Sequence, residues 1–302
     1  MTRARRNSLV AAAALACAAF AAPAGALAPG RSGFYGGGAV RDYLQFVSIR
    51  VVPSGAFAAH ATLVTKCSPR FGDSLTESIS VPNGRLSELG RYGATTKFSD
   101  DIDQGIPGVG GLRAEGTITF SVRVLRGGVA RGVARVRTTY TDPATGEELS
   151  RCDTGRIRWA ARRPPGFAGE GRPVPRPGVQ RGVTGQDEPF LMRVASEGHR
   201  VRRAGLTVQV DCPSATGLPL DVVAHGLRVR RGRFGAADDF RRDFTGAGRI
   251  RVVERYSWEL RGHFGRTGAR GSFRLRGVVT RKSDGARVGS CDTGTVAWRS
   301  VR

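Results

Sequence analysis

The chain contains an internal repeat, and this repeat constrains its fold more than any other feature. Residues 130–159 read ARGVARVRTTYTDPATGEELSRCDTGRIRW, and residues 269–298 read ARGSFRLRGVVTRKSDGARVGSCDTGTVAW. Twelve of these thirty positions are identical without a gap, including a Cys-Asp-Thr-Gly run and the closing residues Trp159 and Trp298. Self-similarity of this kind is typical of a duplicated structural unit. The sequence therefore predicts two copies of one domain.

Further landmarks recur upstream of the repeat in the same order. Residues 90–94 read GRYGA in the first copy, and residues 232–236 read GRFGA in the second. Further back, Cys67 ends a strand-like segment in the first copy, and Cys212 ends its counterpart in the second. The duplication therefore extends well beyond the thirty aligned positions.

These landmarks set the expected domain boundaries. We predict that copy 1 spans residues 42–163 and that copy 2 spans residues 189–302. Between the copies, residues 164–188 are rich in Pro, Gly and Arg, a composition typical of a semi-extended linker. The Gly-rich residues 29–41 are predicted to form a flexible segment.

Within each copy, apolar residues recur at every second position. Residues 118–124 and 206–210 both show this alternation, which is typical of half-buried antiparallel strands. Turn sequences such as Ser283-Asp284-Gly285 separate the segments. We predict about seven strands in each copy. The predicted fold class is all-β: two tandem homologous antiparallel β-sandwich or small β-barrel domains, each with one disulfide.

The N-terminus has the pattern of a secretory signal peptide. Arg3, Arg5 and Arg6 precede an apolar run over residues 9–21, and small residues follow it. We assign residues 1–28 to this signal and expect a secreted or cell-envelope-associated protein. The alternative is a lipoprotein signal that leaves Cys17 as the lipidated first residue. No other stretch is apolar and long enough to predict a transmembrane helix in the mature chain.

Two pairs of cysteines occupy matching positions in the two copies. Four cysteines allow three pairings, and only one of them makes each duplicated copy self-sufficient. In an oxidising compartment such pairs are normally disulfides. We therefore predict two structural disulfides: Cys67–Cys152 and Cys212–Cys291.

The Asp-Thr-Gly sequence in each copy resembles the motif of pepsin-like aspartic proteases, whose two lobes each contribute one aspartate. Asp153 and Asp292 are the corresponding catalytic candidates. However, each directly follows a cysteine with a predicted structural role, and each motif lies late in its copy. Asp-Thr-Gly is also typical of a turn, in which Asp accepts backbone hydrogen bonds and Gly adopts a positive φ. We favour the turn.

Other catalytic and ligand-binding patterns are weaker. The four histidines occupy no shared position between the copies, and the chain has no Cys-x-x-Cys or Gly-x-Ser-x-Gly sequence. We therefore expect no metal site and no cofactor. An extracellular hydrolase that acts on cell-wall or sugar polymers is the alternative to a non-enzymatic protein.

The chain is strongly basic, with a formal net charge of +23, and nearly all of its basic residues are arginines. A solvated surface encoded by a GC-rich genome is one interpretation of this bias. The other is a binding site for a polyanion such as an anionic cell-wall polymer. The candidate residues lie on matched strands of both copies and in a cluster of the second: Arg135, Arg137, Arg274, Arg276, Arg228, Arg230, Arg231 and Arg233.

Taken together, the repeat, its cysteines and the Cys-Asp-Thr-Gly landmarks resemble uncharacterised exported β-domain proteins of GC-rich actinobacteria. The resemblance covers both copies and implies an exported β-rich fold, but it implies no activity. The sequence therefore predicts a secreted, non-enzymatic binding or envelope-associated module with a basic face.

Overall fold

A computed structural model of the protein describes residues 31–40, 44–68, 75–102, 112–163, 175–212, 215–245 and 251–302. The predicted signal peptide, including Cys17, lies outside the described residues. Within them, every regular element is a β-strand, and the strands form two antiparallel sheets of nine strands each.

The first sheet is formed by residues up to Arg162. Its strands are β1 (Gly33–Val40), β2 (Leu44–Val51), β3 (Ala56–Cys67), β4 (Leu75–Arg85), β5 (Arg91–Ile102), β6 (Leu112–Leu125), β7 (Val129–Thr141), β8 (Glu148–Asp153) and β9 (Ile157–Arg162).

The second sheet repeats this order. Its strands are β10 (Gly178–Thr184), β11 (Pro189–Val194), β12 (Arg200–Cys212), β13 (Ala215–Arg228), β14 (Arg233–Thr245), β15 (Arg251–Phe264), β16 (Gly268–Arg281), β17 (Arg287–Asp292) and β18 (Val296–Val301).

Each sheet closes on itself as a small barrel. In the first barrel, β1 pairs with β2 and β9, while β8 pairs with both β7 and β3, so six strands form a ring. The equivalent ring in the second barrel is closed by β17, which pairs with β16 and β12. Closure removes exposed sheet edges from the ring. Of the two predicted all-β architectures, the barrel is therefore the one that forms.

The alternating pattern places one face of each strand in a core. In the first barrel, Phe57 and Leu63 of β3 belong to the same buried cluster as Phe120 and Trp159. In the second barrel, Phe190 stacks on Trp298 with ring centroids 4.0 Å apart. On β16, Phe273 and Leu275 are buried in the core, whereas Arg276 is exposed to solvent.

Each barrel contains one disulfide at the point where its ring closes. Cys67 at the end of β3 bonds to Cys152 of β8, and Cys212 at the end of β12 bonds to Cys291 of β17. The prediction of one disulfide per copy is confirmed. Both bonds join strands that lie far apart in the sequence, so they fix the ring directly.

Two predicted boundaries are wrong. The Gly-rich residues 29–41 were expected to be flexible, but they contain strand β1. The predicted linker, residues 164–188, contains strand β10. Strand β1 requires glycine where β2 approaches it closely. Gly38 has φ +147°, and a β-carbon there would lie 1.7 Å from the Gln45 carbonyl oxygen. Among the described residues, the predicted copies enclose eight strands each against the about seven expected, and β1 and β10 bring each sheet to nine.

The two barrels contact one another through β1, β2 and β9 of the first and β10, β11 and β12 of the second. Leu44 and Phe46 of the first barrel form a buried cluster with Leu191 of the second. Burial raises the pKa of Asp221 in the second barrel, while Thr62 of the first barrel and Thr207 of the second act to lower it.

Candidate cationic binding surface

The arginine pairs predicted from sequence spacing lie beside a carboxylate. In the first barrel, Arg135 Nη2 lies 2.6 Å from Asp153 Oδ2, and Arg137 Nε lies 3.4 Å from the same oxygen. In the second barrel, Arg274 Nη2 lies 2.7 Å from Asp292 Oδ2, and Arg276 Nε lies 3.8 Å from the same oxygen. One negative charge therefore partly neutralises each pair.

Both aspartates also hold the turn that precedes the last strand of their barrel. Asp153 Oδ1 accepts a hydrogen bond from the Gly155 backbone N–H at 2.7 Å, and Asp292 Oδ1 accepts one from Gly294 at 2.8 Å. The two glycines have φ of +61° and +62°, which favours glycine at these positions. These aspartates have the geometry of the turn that the sequence favoured.

Their electrostatic environment is that of ion-paired structural carboxylates. The hydrogen bond from Arg135 is the largest effect that lowers the pKa of Asp153, and the Arg274 bond does the same for Asp292. The charged partners of Asp153 belong to the first barrel, and those of Asp292 belong to the second. A protease dyad instead requires two aspartates that share one proton.

A different set of cations crosses the second barrel from strand to strand. Arg233 of β14 lies opposite His263 of β15, His263 lies opposite Arg270 of β16, and Arg270 lies opposite Arg299 of β18. Each of these residues precedes or follows a core residue on its strand, so all four face outward. We call Arg233, His263, Arg270 and Arg299 the second row.

The first barrel carries the same row at equivalent positions. Arg91 of β5 lies opposite Arg123 of β6, and Arg123 lies opposite Arg131 of β7. The fourth position, directly after Trp159, is Ala160. We call Arg91, Arg123 and Arg131 the first row. The two barrels therefore share a line of outward cations that runs across the strands.

The arginines that lie directly opposite one another, Arg91, Arg123 and Arg131 in the first row and Arg270 and Arg299 in the second, are electrostatically unfavourable in the protein alone. Residues directly opposite in antiparallel strands have β-carbons about 5 Å apart, and like charges at such positions destabilise the sheet. Within the described part of the chain, no carboxylate lies within 4.0 Å of a basic nitrogen of Arg91, Arg123, Arg131, Arg233 or Arg299. In this respect the rows differ from the arginines beside Asp153 and Asp292.

The second row borders a cleft of about 1100 Å³. The basic residues that line it are Arg231, Arg233, Arg261, His263, Arg270 and Arg299. Asp187 is the one acidic residue in the described lining. Outside that lining, Glu259 Oε1 lies 2.6 Å from Arg261 Nε. The cleft is therefore strongly cationic. Its described lining does not contain the two carboxylates that most sugar-polymer hydrolases use.

The core fixes the position of both rows through a tryptophan and a glycine. A β-carbon on Gly271, the residue after Arg270, would lie 2.6 Å from Cζ2 of Trp298. A β-carbon on Gly132, the residue after Arg131, would lie 2.4 Å from Cζ2 of Trp159. Only glycine leaves room for the indole at these positions. The packing therefore sets the register that aligns the cations.

The surroundings of His263 lower its pKa and so disfavour the protonated form. Burial is the main cause that lowers its pKa, and the charges of Arg270 and Arg233 lower it further. Arg270 Nε donates a hydrogen bond to His263 Nε2 at 2.8 Å. The second row therefore has three permanent cations and one titratable group.

The remaining sequence candidates lie near the same end of the second barrel. Arg231 has a positive φ of 49° in the turn between β13 and β14 and lines the cleft with Arg233. Arg228 ends β13, and the backbones of Arg230 and Arg233 hydrogen-bond to each other across the turn. Sequence spacing missed Arg91, Arg123, Arg131, His263, Arg270 and Arg299. The available signal was the identity of Arg131 with Arg270 and of Arg91 with Arg233 between the copies.

Among the residues that the structure describes, no group of three or more His, Cys, Asp or Glu side chains is arranged to hold a metal ion. No helix in this part of the chain is long and apolar enough to cross a membrane.

Comparison with known proteins assigns no family. No family model matches the chain, and no curated protein matches it. Among solved structures, the chain aligns with a "putative outer membrane protein" from Bacteroides fragilis NCTC 9343 at 12% identity and a TM-score of 0.20, over 90% of this chain and 97% of that one. So low a score carries no functional argument. The resemblance to exported proteins of GC-rich actinobacteria stays a prediction.

Proposed function

We propose that the protein is an exported, non-enzymatic binding module that captures an anionic cell-wall polymer or a similar polyanion on its two cationic rows. The observation that carries this proposal is the presence of the same outward row in both barrels. Each row brings like charges together, and in the described residues no carboxylate lies within 4.0 Å of a basic nitrogen of Arg91, Arg123, Arg131, Arg233 or Arg299. Such an arrangement costs stability in the free protein and gains it when an anionic ligand binds.

The chemistry of the rows favours phosphate or carboxylate groups. Arginine presents planar donors that bind these groups in bidentate fashion, and it stays charged at any physiological pH. Neighbouring strands lie about 4.8 Å apart. A polymer on a row would therefore run across the strands and meet one cation per strand. This direction differs from the one expected for Arg135 and Arg137, which lie two residues apart on a single strand.

The two disulfides support an exported location, because such bonds form and persist mainly in oxidising compartments. The N-terminal pattern of a positive start followed by an apolar run supports the same location. The duplication would present two binding rows on one chain. Two linked rows bind a long polymer more tightly than either row alone when the polymer can reach both.

The test is the salt dependence of polyanion binding. Binding of long-chain polyphosphate to the mature protein should weaken as salt rises, because each neutralised phosphate releases counterions. Replacing Arg91, Arg123 and Arg131 with Ser should reduce the slope of log affinity against log salt by about 2–3. The matched control replaces Arg135, Arg137 and Arg158, which removes the same charge from other outward positions of this barrel.

Two outcomes would contradict the proposal. Equal loss of slope in both triple variants would mean that binding follows net charge alone. Absence of polyphosphate binding at low salt, together with absence of binding to teichoic-acid-type polymers, would remove the polyanion function altogether.

A further inference from the structure

The first row ends at the junction between the barrels, where the second barrel approaches very closely. Strand β10 lies against β1, and a β-carbon on Gly36 would be 2.1 Å from the Gly182 carbonyl oxygen. This contact brings Arg181, the residue before Gly182, onto the surface of the first barrel. Arg181 thus lies in a strand of the second barrel and has residues of the first barrel among its neighbours.

Arg181 lies beside the position where the first row lacks its fourth cation. The second row ends on Arg299, whereas the first row has Ala160 there. A β-carbon on Gly37 would lie 2.5 Å from the Ala160 carbonyl oxygen and 3.1 Å from Cδ of Arg181. The Arg181 stem therefore lies close to the backbone of Ala160.

Two arginines of the first barrel complete a cluster around Arg181. Arg131 lies opposite Ala160 on the neighbouring strand, and Arg162 lies two residues beyond Ala160 on the same face of β9. In the described residues, none of the three arginines has a carboxylate within salt-bridge distance. The Nε atom of Arg181 is buried and has no hydrogen-bond partner among the described residues.

The electrostatics agree with this geometry. Burial is the main cause that lowers the pKa of Arg181, followed by the charges of Arg162 and Arg131. The pKa of Arg162 is lowered by burial and then by Arg131. Each group is therefore partly removed from water and placed near like charge. A buried donor without a partner is unfavourable, and more so when it is charged.

We propose that Arg131, Arg162 and Arg181 form a site for a tetrahedral oxyanion, a phosphate or sulfate group, at the junction of the two barrels. The site deepens the proposed function, since Arg131 belongs to the first row and the oxyanion would be one group of the bound polymer. Free inorganic phosphate or sulfate has the same chemistry and is the other source. In either case the ligand would bridge residues of both barrels.

The experiment compares thermal unfolding of the full mature chain in sodium phosphate, sodium sulfate and sodium chloride at matched ionic strength and pH. The wild-type Tm should be higher in phosphate and sulfate than in chloride. Arg181→Met keeps most of the stem and removes the charge. We expect it to raise the Tm in chloride, because the repulsion is relieved, and to abolish the dependence on phosphate and sulfate.

Two further variants separate this site from general charge effects. Arg162→Met, on the other side of the junction, should behave as Arg181→Met does. Arg158→Met removes an exposed charge four residues away on the same strand and should keep the full phosphate and sulfate effect. A wild-type Tm equal in the three salts, or an undiminished phosphate shift in both junction variants, would overturn the site.

Competition distinguishes the two sources of the oxyanion. If the bound group belongs to the polymer, millimolar inorganic phosphate should reduce polyphosphate binding to wild type more than matched chloride does, and this difference should vanish in Arg181→Met. If the site binds free phosphate instead, the wild-type Tm should still rise in phosphate, and wild type and Arg181→Met should bind the polymer equally. The wild-type protein could show no Tm shift in phosphate while the first-row triple variant still loses polymer binding. That result would leave the proposed function standing and remove this site.

Discussion

Arg270 Nε donates a hydrogen bond to His263 Nε2 across 2.8 Å, so a permanent cation binds the one titratable member of the second row. In this arrangement Nε2 is an acceptor, and the proton of the neutral imidazole is on Nδ1. Protonation of Nε2 would break the bond and place a third charge between Arg233 and Arg270. The free protein therefore resists protonation at His263, whereas a nearby anion would favour it.

The first prediction follows for ligand binding. An anion in the cleft should raise the pKa of His263, so binding takes up a proton and the affinity for polyphosphate should rise as pH falls. We expect a gain of up to about tenfold between about pH 7.5 and about pH 5.5. His263→Gln should flatten this dependence. His199→Gln, which changes an exposed histidine in the turn before β12, is the matched control and should leave it intact.

The second prediction concerns stability without ligand. The pKa of His263 lies below the ordinary value of 6.5 in the folded protein, and burial lowers that of His60 likewise. The unfolded chain therefore binds more protons at pH values between the folded pKa and 6.5, so the free energy of unfolding should fall as pH drops below about 6.5. Denaturation at a series of pH values should show a smaller decline for the His60→Gln/His263→Gln double variant. An unchanged decline would contradict the prediction.

The third prediction tests the turns of the Cys-Asp-Thr-Gly motif. Asp292→Ala removes the acceptor for the Gly294 N–H and the partner of Arg274, and we expect it to lower the free energy of unfolding by about 1–2 kcal/mol. Asp292→Asn keeps an acceptor oxygen without the charge, so its effect should be smaller. Urea denaturation provides the comparison. Equal losses in the two variants would assign the effect to the ion pair rather than to the turn.

The fourth prediction concerns the disulfides. Peptide mapping under non-reducing conditions should recover Cys67 linked to Cys152 and Cys212 linked to Cys291. The two bonds span 85 and 79 residues, so replacing either pair by Ser should lower the free energy of unfolding by about 4 kcal/mol. A peptide that links Cys67 to Cys212 or to Cys291 would contradict the closure of each barrel on itself.

Local sequence pattern was enough to predict most of the fold. Alternation identifies strands such as β6 and β16, and the repeat assigns one disulfide to each half. It could not separate a sandwich from a barrel, because closure depends on the pairing of β3 with β8 between residues far apart in the chain. The sequence pattern also missed β1 and β10, because segments that contain several glycines show no alternation of apolar residues. Their glycines instead allow the neighbouring strands to approach closely.

The rows were harder to predict because they depend on strand register. Arg91, Arg123 and Arg131 are separated by 32 and 8 positions in the sequence, yet they lie on adjacent strands. Spacing within one strand instead favours Arg135 and Arg137, and their ion pairs with Asp153 of the repeat depend on the pairing of β7 with β8. An exposed arginine kept at equivalent positions of both copies was the sequence signal for the rows.

The last prediction separates the two kinds of arginine by the sign of their effect on stability. Arg123 lies between Arg91 and Arg131, so Arg123→Thr removes repulsion and introduces a residue that favours strands. We expect the Tm to rise by about 1–2 °C while polyphosphate binding weakens. Arg135→Thr removes the bond to Asp153 and should lower the Tm with a smaller effect on binding. A drop in Tm for Arg123→Thr would mean that the row stabilises the free barrel, which would contradict a surface kept for a ligand.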